Sequence, residues 1–241
     1  FASQAYEEKH DDGSSHRTLL GWMARRSQAR VLDLGCSDGR VAQRLRDLGH
    51  HVTGVDVEAL DGVKERVDRF VQANLDQGLP PDLDGPYDVV LAADVLEHLR
   101  HPEELLDQLH DVLAPGGTVL ASVPNFGHWY PRLRVALGRF DYDRRGILDA
   151  DHVRFFTRRS FERLAAGRGF AVARREATGL PIEVAQRGGS TLDGEQDLRG
   201  GGSGPATWLA RLDRAAIGLR PELFGYQFLY ELRPEPRHGR S

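Results

Sequence analysis

The sequence has very little cysteine and no long apolar run, and both absences limit what the protein can be. Cys36 is the only cysteine among 241 residues, which excludes an intrachain disulfide bond and suits a reducing compartment. No apolar run is long enough to cross a bilayer, and the start shows no signal-peptide pattern. We therefore expect a cytoplasmic protein without membrane insertion. The first residue is Phe rather than Met, which leaves open whether the native N-terminus is present.

Lysine is also scarce, with 2 lysines against 30 arginines in a chain of net charge −4. The arginines are concentrated, because residues 131–175 hold 12 arginines and 5 acidic residues. This segment is either a solvated, compositionally biased surface or a surface that attracts an anionic substrate. A content of 40% hydrophobic and 28% charged residues is ordinary for a globular domain of this length.

An apolar segment that runs into a glycine-bracketed turn is the most informative feature present. Residues 31–40 read VLDLGCSDGR, and the next apolar segment ends on Asp56, 21 residues after Gly35. Gly35 and Gly39 permit backbone conformations that a Cβ would block. Asp56 is positioned to accept hydrogen bonds from both hydroxyls of a ribose. Arg40 stands where a G-x-G-x-x-G motif needs a third small residue, so a ribose-containing cofactor without phosphates is favoured over a dinucleotide.

Strand-like and helix-like segments alternate along the chain, which is typical of an α/β fold with a parallel sheet. The run at 87–93 is continuously apolar, as expected for a central strand covered on both faces. The last strand is expected to be antiparallel and to insert beside the sixth. The predicted strands are 31–35, 51–56, 69–72, 87–93, 118–123, 170–177 and 225–232. The predicted helices are 18–26, 40–48, 58–67, 102–113, 157–168 and 206–219.

The alternation breaks in two places. Residues 125–156 are rich in aromatic residues and arginine with few periodic signals, which predicts a lid inserted after the fifth strand. Residues 186–205 contain seven glycines and predict a mobile surface loop. We therefore predict a single domain over 1–241, with an N-terminal cap at 1–30.

Four runs, in this order, resemble the class I S-adenosylmethionine-dependent methyltransferases. They are VLDLGCSDGR, GVDVE at 54–58, YDVVLAADVLEHL at 87–99 and LAPGGTVLASVPN at 113–125. A further run, GRFDYDRRGILDADHVRFFTRRSF at 138–161, is similar to a bacterial subgroup linked to methylation of sugars or small metabolites. The resemblance implies a Rossmann-like seven-stranded sheet, mostly parallel with an antiparallel last strand, helices on both faces, and S-adenosylmethionine as the cofactor.

The resemblance also implies where the methyl donor binds, outside the carboxyl ends of the first strands. Asp38 would receive the ammonium group, Asp56 the ribose diol, and Asn74 the adenine amine, where the family usually has Asp. Ser37 replaces the commoner Gly. The turn at 93–95 would close over the sulfonium. The implied donor-binding residues are Asp33, Gly35, Cys36, Ser37, Asp38, Gly39, Asp56, Val57, Asn74, Leu75, Ala93, Asp94 and Val95.

Transfer of a methyl group to an alcohol needs alignment of the two reactants and a base, because alcohol oxygens are weak nucleophiles at neutral pH. His152, near the end of the predicted lid, is the preferred base, since an imidazole has a suitable pKa. His128 is the second candidate. The structural alternative for each is a histidine that caps a helix or supports the lid.

A divalent metal ion is a further alternative. In some methyltransferases a run similar to Asp94-x-x-Glu97-His98 binds a metal ion that activates a hydroxyl acceptor, and His152 could complete the ligand set. The same letters are common in metal-free relatives, where they open a helix. We therefore favour a metal-free reaction and keep Mg²⁺ as the alternative.

The sequence thus predicts methylation of a hydroxyl on a sugar or secondary metabolite, with a His general base. N-methylation of an amino-sugar or small amine is the alternative with the same donor site. A different class is RNA modification, whereas base methylation in DNA is disfavoured because the segment after the fourth strand lacks the Asn/Asp-Pro-Pro-aromatic motif. The expected partner is a small molecule, anionic or glycosylated, rather than a nucleic acid, and the helix at 206–219 could form a homodimer contact.

Overall fold

The computed structural model describes residues 15–143, 146–179 and 215–236 of the chain. Seven strands form one sheet in the order β3-β2-β1-β4-β5-β7-β6. Their bounds are β1 (Arg30–Leu34), β2 (His51–Asp56), β3 (Arg69–Gln72), β4 (Tyr87–Ala93), β5 (Leu113–Pro124), β6 (Phe170–Thr178) and β7 (Gln227–Pro234).

Parallel pairing joins the first five strands, and the last strand is antiparallel to both of its neighbours. The pairs β1–β2, β1–β4, β2–β3 and β4–β5 are parallel, whereas β7 runs antiparallel between β5 and β6. This confirms the predicted fold class, including the place of the last strand. Parallel strands bring their carboxyl ends to one edge of a sheet, so the ends of β1, β2 and β4 lie side by side.

Helices cover both faces of the sheet. They are α1 (Ser15–Met23), α2 (Arg40–Asp47), α3 (Val63–Arg66), α4 (Pro102–Val112), α5 (Trp129–Ala136), α6 (Arg158–Gly167) and α7 (Pro221–Phe224). A 3₁₀ turn covers Leu75–Gln77, and residues 215–219 are helical. Within the described ranges, no helix combines the length and apolarity that a membrane crossing requires.

Two clusters of buried apolar side chains lie on the two faces, because successive side chains of a strand point in opposite directions. Leu32 of β1 belongs to the cluster under α4 and α6, and Val31 belongs to the cluster under α1 and α2. Helices α4 and α6 contribute Leu105 and Phe161, both buried, to the first cluster. The sheet is thereby held between two apolar layers, which leaves its carboxyl edge to the loops.

The starts of three elements differ most from the sequence-based prediction. The helix predicted at 58–67 is only Val63–Arg66, because the N–H of Glu58 donates to Asp56 Oδ1 and turns the chain locally. The strand predicted at 118–123 begins at Leu113, since the Pro-Gly-Gly sequence bulges within β5 where its pairing with β4 shifts register. Helix α1 begins three residues before the predicted 18–26.

The described residues of the predicted lid at 125–156 have little regular structure. Residues 125–156 hold α5 and the isolated bridges at Asn125–Phe156 and Asp143–Asp149. The predicted loop at 186–205 lies outside the described residues, as does most of the predicted helix at 206–219.

Candidate active site

The turn after β1 and the turn after β4 touch each other at the carboxyl edge of the sheet. Gly35 has φ +68°, and a Cβ at this position would lie 2.8 Å from Cγ2 of Val95. Its N–H donates to the carbonyl of Val55 in β2 at 2.8 Å. Only a residue without a side chain fits between the two turns, so Gly35 allows them to pack directly against each other.

The second part of the turn is held by the carboxylate that ends β2. Ser37 has φ +52°, a conformation that is unfavourable for a residue with a Cβ. Its backbone N–H donates to Asp56 Oδ2 at 2.8 Å, which compensates for the strain. Gly39, with φ +79°, is the residue before α2. The turn therefore holds Ser37 in the left-handed conformation, at the position where the family more often has Gly.

Asp56 is half-buried and already organises the turn. Oδ2 accepts from Ser37 N, and Oδ1 accepts from Glu58 N at 3.2 Å. A carboxylate has about four lone-pair sites, so each oxygen can accept one more hydrogen bond. The geometry suits a ligand with two adjacent hydroxyl groups.

Asp33 lies beneath this turn rather than at its surface. It is 3% exposed, and its Oδ2 has no hydrogen-bond partner within the described residues. Burial and the neighbouring charge of Asp56 raise the pKa of Asp33 to about 7. Burial also raises the pKa of the Cys36 thiol well above its usual range, so this cysteine is a neutral packing residue against Gly54.

The remaining predicted donor residues are spread along the same edge. Asp38 forms an ion pair with Arg40 Nε at 2.8 Å, so a ligand ammonium would share its carboxylate with this arginine. Asn74 is exposed and caps the 3₁₀ turn that begins at Leu75, its Oδ1 accepting from Asp76 N at 3.0 Å. Val57 is 62% exposed next to Asp56.

Asp94 stands in the turn after β4 with φ +57°. Its Oδ1 accepts from Ser122 Oγ at 2.6 Å and from Gln227 Nε2 at 2.7 Å. Its N–H donates to Ser122 Oγ at 3.0 Å. The sequence-based analysis did not identify Ser122 or Gln227, because Gln227 is 133 residues from Asp94 in the chain.

The end of the lid is tied to the turn after β4, which brings two histidines and a carboxylate together. The carbonyl of Glu97 accepts the N–H groups of Val153 and Arg154 at 3.0 and 2.9 Å. The rings of His98 and His152 are 4.9 Å apart between centroids. One ligand atom each of Glu97, His98 and His152 lies within 4.8 Å of the others.

Both histidines are oriented by backbone carbonyls. His152 Nδ1 lies 3.2 Å from the carbonyl of Ile147, and His98 Nδ1 lies 3.0 Å from that of Asp151. Carbonyl oxygens only accept, so each Nδ1 carries the proton of its hydrogen bond. Burial and the proximity of His98 lower the pKa of His152. His152 is therefore neutral near pH 7 and able to accept a proton or bind a metal ion.

His128 has a different environment. It is 1% exposed and is the residue before α5, where its Nδ1 accepts from Tyr130 N at 3.3 Å. Burial lowers the pKa of His128 to about 4. His128 Nδ1 is thus engaged with the first turn of α5. This contact matches the structural alternative, in which the histidine caps a helix.

Three aromatic residues of the predicted lid pack together and form a wall. Phe126 lies 4.9 Å from Phe155 and 6.3 Å from Phe140 between ring centroids. Among the lid arginines, Arg134 donates to Asp143 Oδ1 at 2.7 Å and Arg132 to the carbonyl of Gly127 at 2.6 Å. Part of the hydrogen-bonding capacity of these two guanidinium groups is therefore used within the predicted lid and is not available to an anionic substrate.

Residues 10–174 match the family described as a methyltransferase domain. The ubiquinone biosynthesis O-methyltransferase of Xylella fastidiosa (strain M23) is 34% identical over 108 residues, which are 41% of this chain and 43% of that protein. The chain thus matches less than half the length of this curated relative.

Solved structures of other proteins share the fold. A 1,6-didemethyltoxoflavin-N1-methyltransferase of Burkholderia thailandensis, with S-adenosylhomocysteine and its acceptor bound, has a TM-score of 0.55 at 19% identity, covering 93% of this chain and 80% of that one. The magnesium protoporphyrin IX methyltransferase of Synechocystis PCC 6803, with S-adenosylhomocysteine bound, has a TM-score of 0.57 at 16% identity, covering 92% and 82%.

Proposed function

The chain belongs to the methyltransferase-domain family and is an S-adenosylmethionine-dependent methyltransferase, and from this premise we propose that it methylates a hydroxyl group of a small molecule. The observation that carries the proposal is the buried His152, whose Nε2 is left with a lone pair beside the turn after β4. The donor turn at Gly35 touches that same turn through Val95. This contact between the two turns supports a reaction in which the donor and the base would meet at one point of the sheet edge.

The donor supplies a methyl group on a sulfonium. Asp56 would hold the ribose, since both of its oxygens keep acceptor capacity, and Asn74 would lie toward the adenine. Asp33 lies beneath this turn, and its Oδ2 has no hydrogen-bond partner among the described residues, so a positively charged ligand above the turn would favour its ionised form. The other residues of the predicted donor set lie in the turns after β1, β2, β3 and β4.

His152 would take the proton of the acceptor hydroxyl on Nε2 while the hydroxyl oxygen attacks the donor methyl. The carbonyl of Ile147 holds the ring in the tautomer that this step needs. Because burial lowers its pKa, His152 is in its neutral, proton-accepting form at neutral pH. A hydroxyl acceptor requires such a group, whereas a neutral amine requires it less, and this favours O-methylation over N-methylation.

The acceptor would carry its hydroxyl on a flat ring. The wall formed by Phe126, Phe140 and Phe155 offers ring faces and edges on which a phenol or a sugar ring could stack. The name of the Xylella relative includes O-methylation, which agrees with a hydroxyl acceptor. The sugar or secondary-metabolite acceptor favoured by the sequence and a phenolic acceptor both meet these requirements.

The variant His152→Ala tests the base. We expect its turnover to fall by about 100-fold or more, because general-base catalysis contributes on this scale. The affinity for S-adenosylhomocysteine should stay within about twofold, since the donor contacts lie elsewhere. The assay follows S-adenosylhomocysteine formation with catechol, methyl α-D-glucopyranoside and D-glucosamine as acceptors.

His110→Ala is the matched control. The His110 ring also contacts a backbone carbonyl, that of Arg168, but it packs on Phe170 at the opposite end of the sheet. This variant should keep its turnover. Full turnover in His152→Ala would rule out His152 as the general base. Methyl transfer to glucosamine alone would favour the N-methyltransferase alternative.

A metal-assisted version of the same reaction is the second candidate, and the closeness of Glu97, His98 and His152 favours it. Metal-binding histidines commonly donate their other ring N–H to a carbonyl or carboxylate, as both histidines do here. The two imidazole nitrogens and one carboxylate would hold Mg²⁺, Mn²⁺ or Zn²⁺, whose role would be to lower the pKa of the acceptor hydroxyl.

Removal of metal separates the two versions. If a metal ion is needed, dialysis against EDTA should abolish turnover, and one of Mg²⁺, Mn²⁺ or Zn²⁺ should restore it. In that case His98→Ala should be as damaging as His152→Ala, because both are ligands. Full activity after EDTA, with only a mild loss in His98→Ala, would leave His152 as a metal-free base.

A further inference from the structure

Asp94 adopts a conformation that costs energy for its residue type. Among the described residues, only Ser37 and Asp94 have a positive φ without being glycine. Both lie in the two turns that meet where Gly35 touches Val95. Non-glycine residues in the left-handed region cluster at functional sites, where the surrounding structure holds them in place.

Two buried side chains from different strands hold Asp94. Ser122 of β5 is 0% exposed and Gln227 of β7 is 4% exposed, and both donate to the same carboxylate oxygen. Two donors on Oδ1 set the rotation of the carboxylate and therefore the direction of Oδ2. Hydrogen bonds of this kind are strongest when the acceptor is an ionised carboxylate.

The order of the strands determines which part of the donor would lie near Asp94. Strands β2, β1 and β4 are adjacent, so Asp56, Gly35 and Asp94 follow one another across the carboxyl edge. Neighbouring strands are about 4.8 Å apart, which places Asp94 roughly 10 Å from the ribose-binding carboxylate. A donor whose ribose lies at Asp56 and which crosses Gly35 would have its sulfonium end toward the turn that holds Asp94.

The donor and its demethylated product differ at this end alone. S-adenosylmethionine carries a positive sulfonium, whereas S-adenosylhomocysteine has a neutral thioether. We propose, on the premise of the donor site described above, that Asp94 is the residue that distinguishes the charged donor from the neutral product, and that Ser122 and Gln227 are its positioning residues. Loss of the sulfonium charge on transfer then weakens the interaction with Asp94 and favours product release.

The experiment measures the dissociation constants of S-adenosylmethionine and S-adenosylhomocysteine by calorimetry for each variant. In Asp94→Asn we expect the preference for the donor over the product to fall about fivefold, which is the scale of one partly solvated charge pair. In Gln227→Leu the fall should be smaller, about twofold, because the carboxylate remains but is less well positioned. Ser122→Ala provides a second positioning variant if Gln227→Leu does not fold.

Two controls separate this role from general damage. Asp56→Asn should weaken both ligands alike, because the ribose is the same in both. Gln43→Leu removes an amide–carboxylate hydrogen bond of similar length, from Gln43 Nε2 to Asp47 Oδ1 at 2.9 Å on α2, and should leave the preference unchanged.

The outcomes are distinct. An equal loss of affinity for both ligands in Asp94→Asn would mean that Asp94 only supports the turn. Unchanged affinity for both ligands would mean that Asp94 does not face the donor. Either result overturns the proposal. A wild-type protein that binds neither nucleoside would instead refute the donor site itself.

Discussion

Gly35 has the strictest local requirement of any residue at the site. Its φ is positive, and a Cβ would approach Val95 Cγ2 to 2.8 Å, so both the backbone and the neighbouring turn reject a side chain. We expect Gly35→Ala to lower the free energy of unfolding by about 1–3 kcal/mol, as overpacking does. It should also abolish binding of S-adenosylhomocysteine, because the two turns would be forced apart. Urea denaturation and calorimetry measure the two effects.

Gly21→Ala is the control for this substitution. Gly21 lies within α1, and a Cβ there would meet nothing within 4 Å. Alanine is the better helix former, so this variant should gain about 0.5–1 kcal/mol of stability. Unimpaired binding of S-adenosylhomocysteine by Gly35→Ala would show that the donor does not lie against the turn at Gly35.

Among the elements, α6 has the most complete sequence signal for its start. Thr157 Oγ1 accepts from Ser160 N, and Ser160 Oγ accepts from Thr157 N, which together form a capping box. The helix carries Phe161 into the core, so its first turn is coupled to the packing of the sheet. The helix predicted at 157–168 is observed as Arg158–Gly167, with Thr157 as its N-cap.

Removing this cap should destabilise the protein without altering the site. We expect Thr157→Ala to lower the free energy of unfolding by about 1 kcal/mol, whereas Thr157→Ser, which keeps the hydroxyl, should be close to the wild type. Urea denaturation curves of the two variants provide the comparison. If serine proved as damaging as alanine, the hydroxyl would not be the stabilising group.

At the scale of the whole molecule, the buried Asp33 links folding to pH. Its pKa is about 7 in the folded protein, against an ordinary value of 3.8. The folded state therefore keeps a proton that the unfolded chain releases between about pH 4 and 7, so the contribution of Asp33 to stability is fully present below this window and is lost as the pH rises through it. His128 and His152 act in the opposite direction, because burial lowers the pKa of each and disfavours its protonation in the folded state.

The contribution of Asp33 is isolated by comparison with Asp33→Asn. The difference in unfolding free energy between wild type and variant should change in favour of the variant as the pH rises from 5 to 8, since the histidines are common to both. Denaturation in urea at several pH values gives this difference. A difference independent of pH would mean that Asp33 titrates alike in the folded and unfolded states.

The sequence by itself determined the fold class and the glycine-containing turn after β1, where the methyl donor is expected to bind. Apolar segments predicted the individual strands, because the pattern of each strand is encoded within a few residues, and the resemblance to the methyltransferases implied the seven-stranded sheet with an antiparallel last strand. The left-handed conformations of Gly35 and Gly39 follow from the same local chemistry, since glycine is the residue that adopts them without strain.

Only the tertiary structure decided how the residues around the turn after β4, where the acceptor is expected to bind, come together. The approach of Glu97 and His98 to His152 depends on how the lid folds back over the turn after β4, and the contact of Gln227 with Asp94 depends on the insertion of β7 beside β5. Which nitrogen of His128 or His152 is occupied depends likewise on a neighbouring backbone group. These contacts join segments that are distant in the chain. Their geometry is set by the packing of strands and loops, and a short run of residues does not specify that packing.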